Sequence, residues 1–371
     1  MRADLTWFTA NVGITAVGGF IPLFAKDELG IEDPYIGIAV TLYSLSMFFS
    51  SYMFGRWSDI QGLRRFILGG LLFTAIAMAA HLLIVDTLTL WAVRILAGIA
   101  CGVFPAALVD YVTRSNGRLG KYSAWGSLGW GAGSLAASLV AQYYGGLRAL
   151  FLLGAGIMML AFFISLTLRP VPEIHHKVPL IPMAIIRRNA HIYVPMLIRH
   201  SGAAGIWAFW VLYLWNMGHS YVWIGVIQFV NPVAQFAFMY AFTDRMRTRL
   251  LFPLGLLLSG VVMFSFTIAP NLWWLLPTQV LLGVAWSCTY VGALRTVTDN
   301  SVEKSTASGI LSSTTSVSAV IGPAMATVLV SIIHDYKAEM YLGGTLSIVA
   351  LIIHLLLRRS AEAKAPSTAV T

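Results

Sequence analysis

The chain has 371 residues, 58% hydrophobic and 11% charged, where a soluble domain is roughly 45–50% apolar and about 25% charged. That balance excludes an ordinary soluble enzyme or binding domain and points to a polytopic membrane protein. The net charge of +9 does not imply nucleic acid, because Lys and Arg are sparse and fall between apolar runs, where membrane topology accounts for them.

A bilayer core requires ~20 apolar residues per helix. Twelve segments meet that length: 5–25, 35–55, 66–85, 88–112, 122–144, 148–168, 191–217, 221–242, 250–269, 272–295, 306–333 and 339–357. The first, running to Ala25 behind Arg2 alone, reads as a membrane span and not a cleaved leader. Between the second and third lies GRWSDIQGLRR, residues 55–65, with three arginines, two glycines and one acid. The third span contains His81, most simply a packing histidine. The fourth contains Arg94 about two turns in, and Asp110 near its other end beside Arg114. Charge inside a bilayer is costly and marks functional candidates. Arg94 cannot shed its charge and is expected to face a substrate cavity. The fifth span is rich in small residues, with Gly126, Gly129, Gly131 and Gly133, which permit close helix contact.

Residues 169–190 read as a linker. The seventh span then places Arg199 and His200 roughly two turns in, followed by Trp207 and Trp210. In the eighth, Gln228, Asn231 and Gln235 share one helical face, and lipid would penalise that face, so it meets protein or water. The tenth carries Gln279 and Trp286, and the eleventh a Gly322–Pro323 hinge. Trp207, Trp210 and Trp286 are candidate stacking surfaces, whereas Trp215, Trp223, Trp273 and Trp274 suit an interfacial belt. Cys101 and Cys288 lie inside apolar runs without metal or disulfide spacing and read as packing residues. The tail after Arg359 is small and polar, and disorder is expected there.

With the N-terminus in the cytoplasm, one side of the membrane collects Arg2, Arg56, Arg64, Arg65, Arg114, Arg118, Lys121, Arg169, Lys177, Arg187, Arg188, Arg245, Arg247, Arg249, Arg295, Lys304, Arg358, Arg359 and Lys364. The other side holds Lys26, Arg148 and Lys337 among acids that include Asp335 and Glu339. That asymmetry sets both termini in the cytoplasm of a multi-pass protein of the cell (plasma or inner) membrane. An offset of 185 residues carries Asp59 onto Asp244, Arg64 onto Arg249, Gly98 onto Gly283, Arg94 onto Gln279 and Asp110 onto Arg295. Two similar halves are the mark of a transporter built from repeats around a midplane site.

These residues resemble the major facilitator superfamily. The family loop G-x-L-A-D-R-x-G-R-[KR] is matched by Gly55, Asp59, Gly62 and Arg64, with departures at Trp57, Ile60 and Leu63. The second half keeps Asp244, Arg245 and Arg249, with Tyr240 and Arg247 in place of the glycines. LWAVRILAGIACG in the fourth span is similar to L-x-x-x-R-x-x-Q-G, with Ala97 replacing Gln. The resemblance implies an all-α membrane protein of twelve helices in two pseudo-symmetric six-helix bundles, residues 1–168 and 191–358, with the 169–190 linker and a 359–371 tail. It also implies that Asp59 contacts the start of the eleventh span near Ser305–Gly309, latching the cytoplasmic gate, with Asp110 and Arg114 as a further gate pair.

The fifth span lacks the G-P-x-x-G-G ending of drug antiporters, and W-G-S-x-G resembles the symporters of sugars, nucleosides and aromatic acids. No Asp or Glu lies near the middle of any span. The expectation is a transporter, not an enzyme, moving an anionic or neutral polar solute by rocker-switch alternating access. The alternatives are a multidrug efflux antiporter and a non-transporting sensor on the same scaffold. No H-E-x-x-H or G-x-S-x-G occurs, and GRLGKY at 117–122 lacks P-loop spacing. Expected partners are a small-molecule substrate and the lipid bilayer, with protons as the candidate coupling ion, and the chain is expected to act as a monomer. No cofactor, metal or nucleic acid is expected.

Overall fold

The protein is described by a computed structural model over residues 1–143, 146–172, 174, 176–217 and 221–364. The side chains of Trp215 and Trp223, residues Glu173 and His175 of the linker, and tail residues 365–371 lie outside the described residues.

Among the described residues fifteen α-helices build the fold: α1 (Arg2–Gly18), α2 (Ile21–Asp27), α3 (Asp33–Gln61), α4 (Leu63–Ala80), α5 (Thr87–Val103), α6 (Pro105–Arg114), α7 (Leu119–Tyr143), α8 (Gly146–Leu166), α9 (Met183–Arg188), α10 (Ala190–Asn216), α11 (Tyr221–Phe238), α12 (Thr248–Thr267), α13 (Leu272–Asp299), α14 (Lys304–Ile333) and α15 (Lys337–Lys364). Among the described residues nine helical stretches are long and apolar enough to cross a membrane. With α7, α10 and α11 they make the twelve crossings, α1 joining α2 and α5 joining α6 in single crossings.

The departures from the sequence reading have local causes. The fourth crossing breaks at Phe104, because Pro105 opens α6 and has no N–H to continue the ladder of α5. The eighth ends in a π turn, Met239–Thr243, directly before Asp244. Such a turn adds a residue to the helix and re-aims the chain beyond it. Part of the linker is helical, as α9. The last helix runs through Arg359 to Lys364, so the expected disorder does not begin at Ser360. Glu339, the first residue of the twelfth span as read from the sequence, is buried in the first turn of α15, and its Oε1 has no partner among the described residues.

Outside the bilayer, Asp86 caps α5: its carboxylate accepts from the Thr89 N–H at 2.8 Å. That backbone bond holds the carboxyl below its usual range.

The first half packs α1 against α7 and α8, and α3 and α4 against α5; the second packs α10 against α14 and α15, and α12 against α13 and α15. Between the halves the main contacts are α3 and α6 with α14, and α7 with α11 and the π turn that follows it. The start of α1 and the Arg358 turn of α15 lie on one face: Arg2 Nη1 donates to the Thr167 carbonyl, and Arg358 Nη1 donates to the Arg249 carbonyl at 3.3 Å. Arg56, Arg64, Arg114 and Arg245 share this arginine-rich face.

Close backbone approach sets the packing. A Cβ at Gly98 would stand 2.3 Å from the Tyr43 carbonyl oxygen, main chain that cannot swing away. Gly98→Leu is therefore expected to cost about 1–3 kcal/mol or more, read as a lower unfolding temperature in detergent. Gly69→Leu, at a site with nothing within 4 Å, should leave that temperature unchanged.

Candidate functional site

The arginine-rich stretch between α3 and α4 has a structural role at two of its glycines. Gly62 joins the helices at φ +96°, ψ 148°, a conformation that favours a residue without Cβ. At Gly55 a Cβ would stand 2.7 Å from the Ser305 carbonyl oxygen and 3.2 Å from Gly309 Cα, so α3 lies directly on α14 there.

That contact brings Asp59 to the first turn of α14. Its Oδ2 accepts from the Thr306 backbone N–H and from Thr306 Oγ1, both at 2.6 Å. Glu303 precedes the helix without a side-chain cap, so Asp59 supplies the cap from the other half of the molecule. A carboxylate facing a helix N-terminus meets the positive end of the dipole. A hydrogen bond to a charged group contributes about 1.5–3 kcal/mol. The second half repeats the device. Asp244 accepts from the backbone N–H groups of Gly120 at 2.8 Å and Lys121 at 3.0 Å, at the start of α7. The 185-residue offset that relates Asp59 to Asp244 also relates Lys121 to Thr306.

Asp110 joins the first latch. Arg114 grips it with Nε at 2.9 Å and Nη2 at 2.5 Å, and Ser305 Oγ donates to it at 3.3 Å. The other motif arginines bridge nothing between the halves. Arg64 Nη1 donates to the Leu168 carbonyl at 3.4 Å, Arg245 folds back to the Ala241 carbonyl at 2.8 Å, and Arg249 is exposed. The linker is laced along α3. Arg56 donates to the Val178 and Pro179 carbonyls at 2.7–3.0 Å, and the His176 N–H donates to the Asp59 carbonyl at 2.8 Å.

A cavity of about 750 Å³ opens between the halves, lined from α1, α7, α10, α11, α13 and α14. Arg199, His200, Trp207, Trp210, Gln228, Asn231, Gln235 and Trp286 all line it, as does Pro323 of the hinge. Trp286 organises the charged wall: the Arg199 guanidinium lies 5.1 Å from its ring centroid, and His200 stacks on it at 5.2 Å. Arg199 is buried, and its Nε donates to Ser259 Oγ at 3.0 Å. Among the described residues Arg199 is the sole Lys or Arg in the lining, and no Asp or Glu is there. The amides form a chain: Ser127 Oγ donates to Gln235 Oε1 at 2.9 Å, Gln235 bonds Asn231, and Asn231 Nδ2 reaches Gln279 Oε1 at 3.5 Å.

Two expected cavity residues are not in that lining. Arg94 is buried among α3, α4 and α5, its guanidinium 4.0 Å over the Tyr43 ring. Its helix turns this face inward to the first bundle, because Gly98, one turn on, lets α5 press onto α3. Gln279 sits behind the wall, buried, with Nε2 unpartnered. His81 packs as expected, Nδ1 2.9 Å from the Ala77 carbonyl. Sequence reasoning missed Trp7, Asn11, Ser123, Ser127, Trp130 and Tyr290, which also line the cavity. The polar side chain of Asn11 in an apolar run was the one available signal.

Comparison with known proteins accords with this geometry. The sequence pattern described as the Major Facilitator Superfamily matches residues 5–236 and again 205–370. The class E tetracycline resistance protein of Escherichia coli is 24% identical over 386 residues, spanning 95% of this chain and 93% of that protein. Among solved structures, the human organic anion transporter MFSD10 (TETRAN) superposes with a TM-score of 0.76 at 14% identity, covering 95% of this chain and 98% of that one. At that identity the likeness concerns the fold.

Asp59→Asn keeps the shape of the side chain and removes its charge. Loss of about 1.5–3 kcal/mol should shift the population toward a state open at the arginine-rich face by roughly ten-fold or more. Alkylation of a cysteine placed at Leu311, buried on α14, in a chain with Cys101 and Cys288 replaced, reads that shift as a faster rate. An unchanged rate would mean that Asp59 holds no gate.

Proposed function

Because the chain belongs to the major facilitator superfamily, a family of membrane transporters, we propose that its cargo is a small organic anion with a flat aromatic or unsaturated body. The single observation behind this is the cavity wall of Arg199, His200 and Trp286, with no carboxylate among the described lining residues to oppose an anion. A guanidinium gives a carboxylate or sulfonate two parallel donors and never deprotonates. Trp7, Trp130, Trp207 and Tyr290 offer ring faces, and Asn231 and Gln235 offer hydrogen bonds that fix orientation. The description of MFSD10 as an organic anion transporter points the same way.

In the proposed cycle the halves rock about this cavity. The Asp59 and Asp244 latches close the arginine-rich face and the opposite end admits or releases solute. The charge asymmetry supports a cytoplasmic arginine-rich face and cytoplasmic termini in the cell membrane. A division at 1–168 and 191–358 puts Asp59 in the first half and Asp244 in the second, each bonded to backbone of the other. The proposed working unit is a monomer. A second reading, export of drug-like solutes, draws on the tetracycline resistance relative. Vesicle assays read direction and coupling together: accumulation under an imposed pH gradient identifies the proton as the coupling ion, and equilibration alone identifies a facilitator.

The test is thermal stabilisation of the purified protein by salicylate, benzamide and tetraphenylphosphonium, an anion, a neutral amide and a lipophilic cation. At about 100 times its dissociation constant a ligand stabilises by ~2.7 kcal/mol. The anion is expected to stabilise the parent, with Arg199→Gln weakening its binding about 10–100-fold, the equivalent of 1.4–2.8 kcal/mol. Equal stabilisation of parent and variant by the cation would replace this reading with drug export.

A further inference from the structure

A second cavity, of about 290 Å³, lies on the arginine-rich face, away from the central one and formed by the first half and the linker. Its walls are the start of α4, the end of α6, the end of α8 and the first residues of the linker. Three arginines converge on it, Arg64, Arg114 and Arg169. Arg2 stands next to it, holding the Thr167 carbonyl. Asp110 is already gripped by Arg114 through Nε and Nη2. Among the described residues no carboxylate pairs with Arg2, Arg64 or Arg169. The floor is apolar: Leu63, Ile67, Leu68 and Leu168.

Membrane topology asks for arginines near the ends of spans. It does not ask three of them to share one cavity over an aliphatic floor. Nor does the latch require it, since Arg114 needs only two of its nitrogens for Asp110. Its Nη1 is turned to the linker, where it makes long bonds to the Pro172 and Ile174 carbonyls at 3.2 and 3.5 Å. Those bonds are weak enough to be exchanged for a better acceptor.

We propose that this cavity binds a phosphate ester, and that its occupant is the headgroup of an anionic phospholipid. Phosphate oxygens match the arginine fork, and several arginines around one phosphodiester are the chemistry that selects it. The aliphatic floor suits the glycerol and the first methylenes of the acyl chains. The depth is right as well, because α4 begins and α8 ends here, where the hydrocarbon gives way to headgroups. Bound phosphate would hold Arg64, Arg114 and Arg169 together, tying the linker to α4 and α6 and stiffening the Arg114–Asp110 side of the first latch.

The experiment uses the full chain in detergent, titrated with dioleoylphosphatidylglycerol, dioleoylphosphatidylcholine or inorganic phosphate, with thermal unfolding as the readout. Phosphatidylglycerol is expected to raise the unfolding temperature of the parent by several degrees, and phosphatidylcholine is not. Arg169→Gln should lose most of that shift. The Arg169 side chain is exposed and makes no bond of its own to the fold, so the lipid-free variant should unfold with the parent, which separates lost binding from lost folding. Arg249→Gln, an exposed arginine of the same face in the other half, should retain the full shift. If inorganic phosphate reproduced the shift in the parent and lost it in Arg169→Gln, the occupant would be a free phosphate and the lipid assignment would fall. An equal lipid shift in parent and Arg169→Gln, or none in either, would overturn the site.

Discussion

A carboxylate facing the bare start of a helix in the opposite half is the contact on which the arrangement depends. The first turn of a helix leaves N–H groups that no residue within the helix can satisfy. In α14 that need is met by Asp59, which is fully buried and comes from the other bundle. In α7 it is met by Asp244, again from the other bundle. Each half therefore completes a helix of its partner, and separating the halves uncaps both. Such a bond is directional and discrete, made or unmade, which is what an element with two states requires.

Closure and binding are kept chemically apart. The latches join the halves at one face with acids and backbone amides. The central cavity has no acid among its described lining residues, and its charge is the arginine that rests on Trp286. The acids at the contact between the halves, Asp59, Asp110 and Asp244, are absent from that lining and bond the starts of α14 and α7 and the Arg114 side chain. The amide chain from Ser127 through Gln235 and Asn231 to Gln279 crosses from α7 to α11 and α13, so the wall of the cavity is also part of the seam.

The fold was legible because the bilayer simplifies the code: length and apolarity mark a span, and arginines mark its side. The latch was legible for a related reason, since an acid among topological arginines has no topological purpose. Arg94 was misread because charge at depth says that a residue is buried and not which way it faces. Its direction is set by Gly98, whose missing Cβ lets α5 press onto α3 and turns the guanidinium onto Tyr43. Apart from Asn11, the Ser and Trp residues of α1 and α7 that line the cavity carried no comparable mark, because such side chains occur equally on packed faces.

The two latches differ in what they ask of their donors. Asp59 takes a hydroxyl as well as an amide from Thr306, whereas Asp244 takes only main-chain N–H groups. Every residue except proline brings an amide to that position. Over evolutionary time the residue at Lys121 is therefore free to drift while Asp244 is not, and the acid would have no covarying partner. Gly120, the other donor, is not free in this way, because a Cβ there would stand 2.1 Å from Thr243 Oγ1, so a comparison of related sequences is expected to show Asp244 and the glycine held and the neighbouring lysine varying.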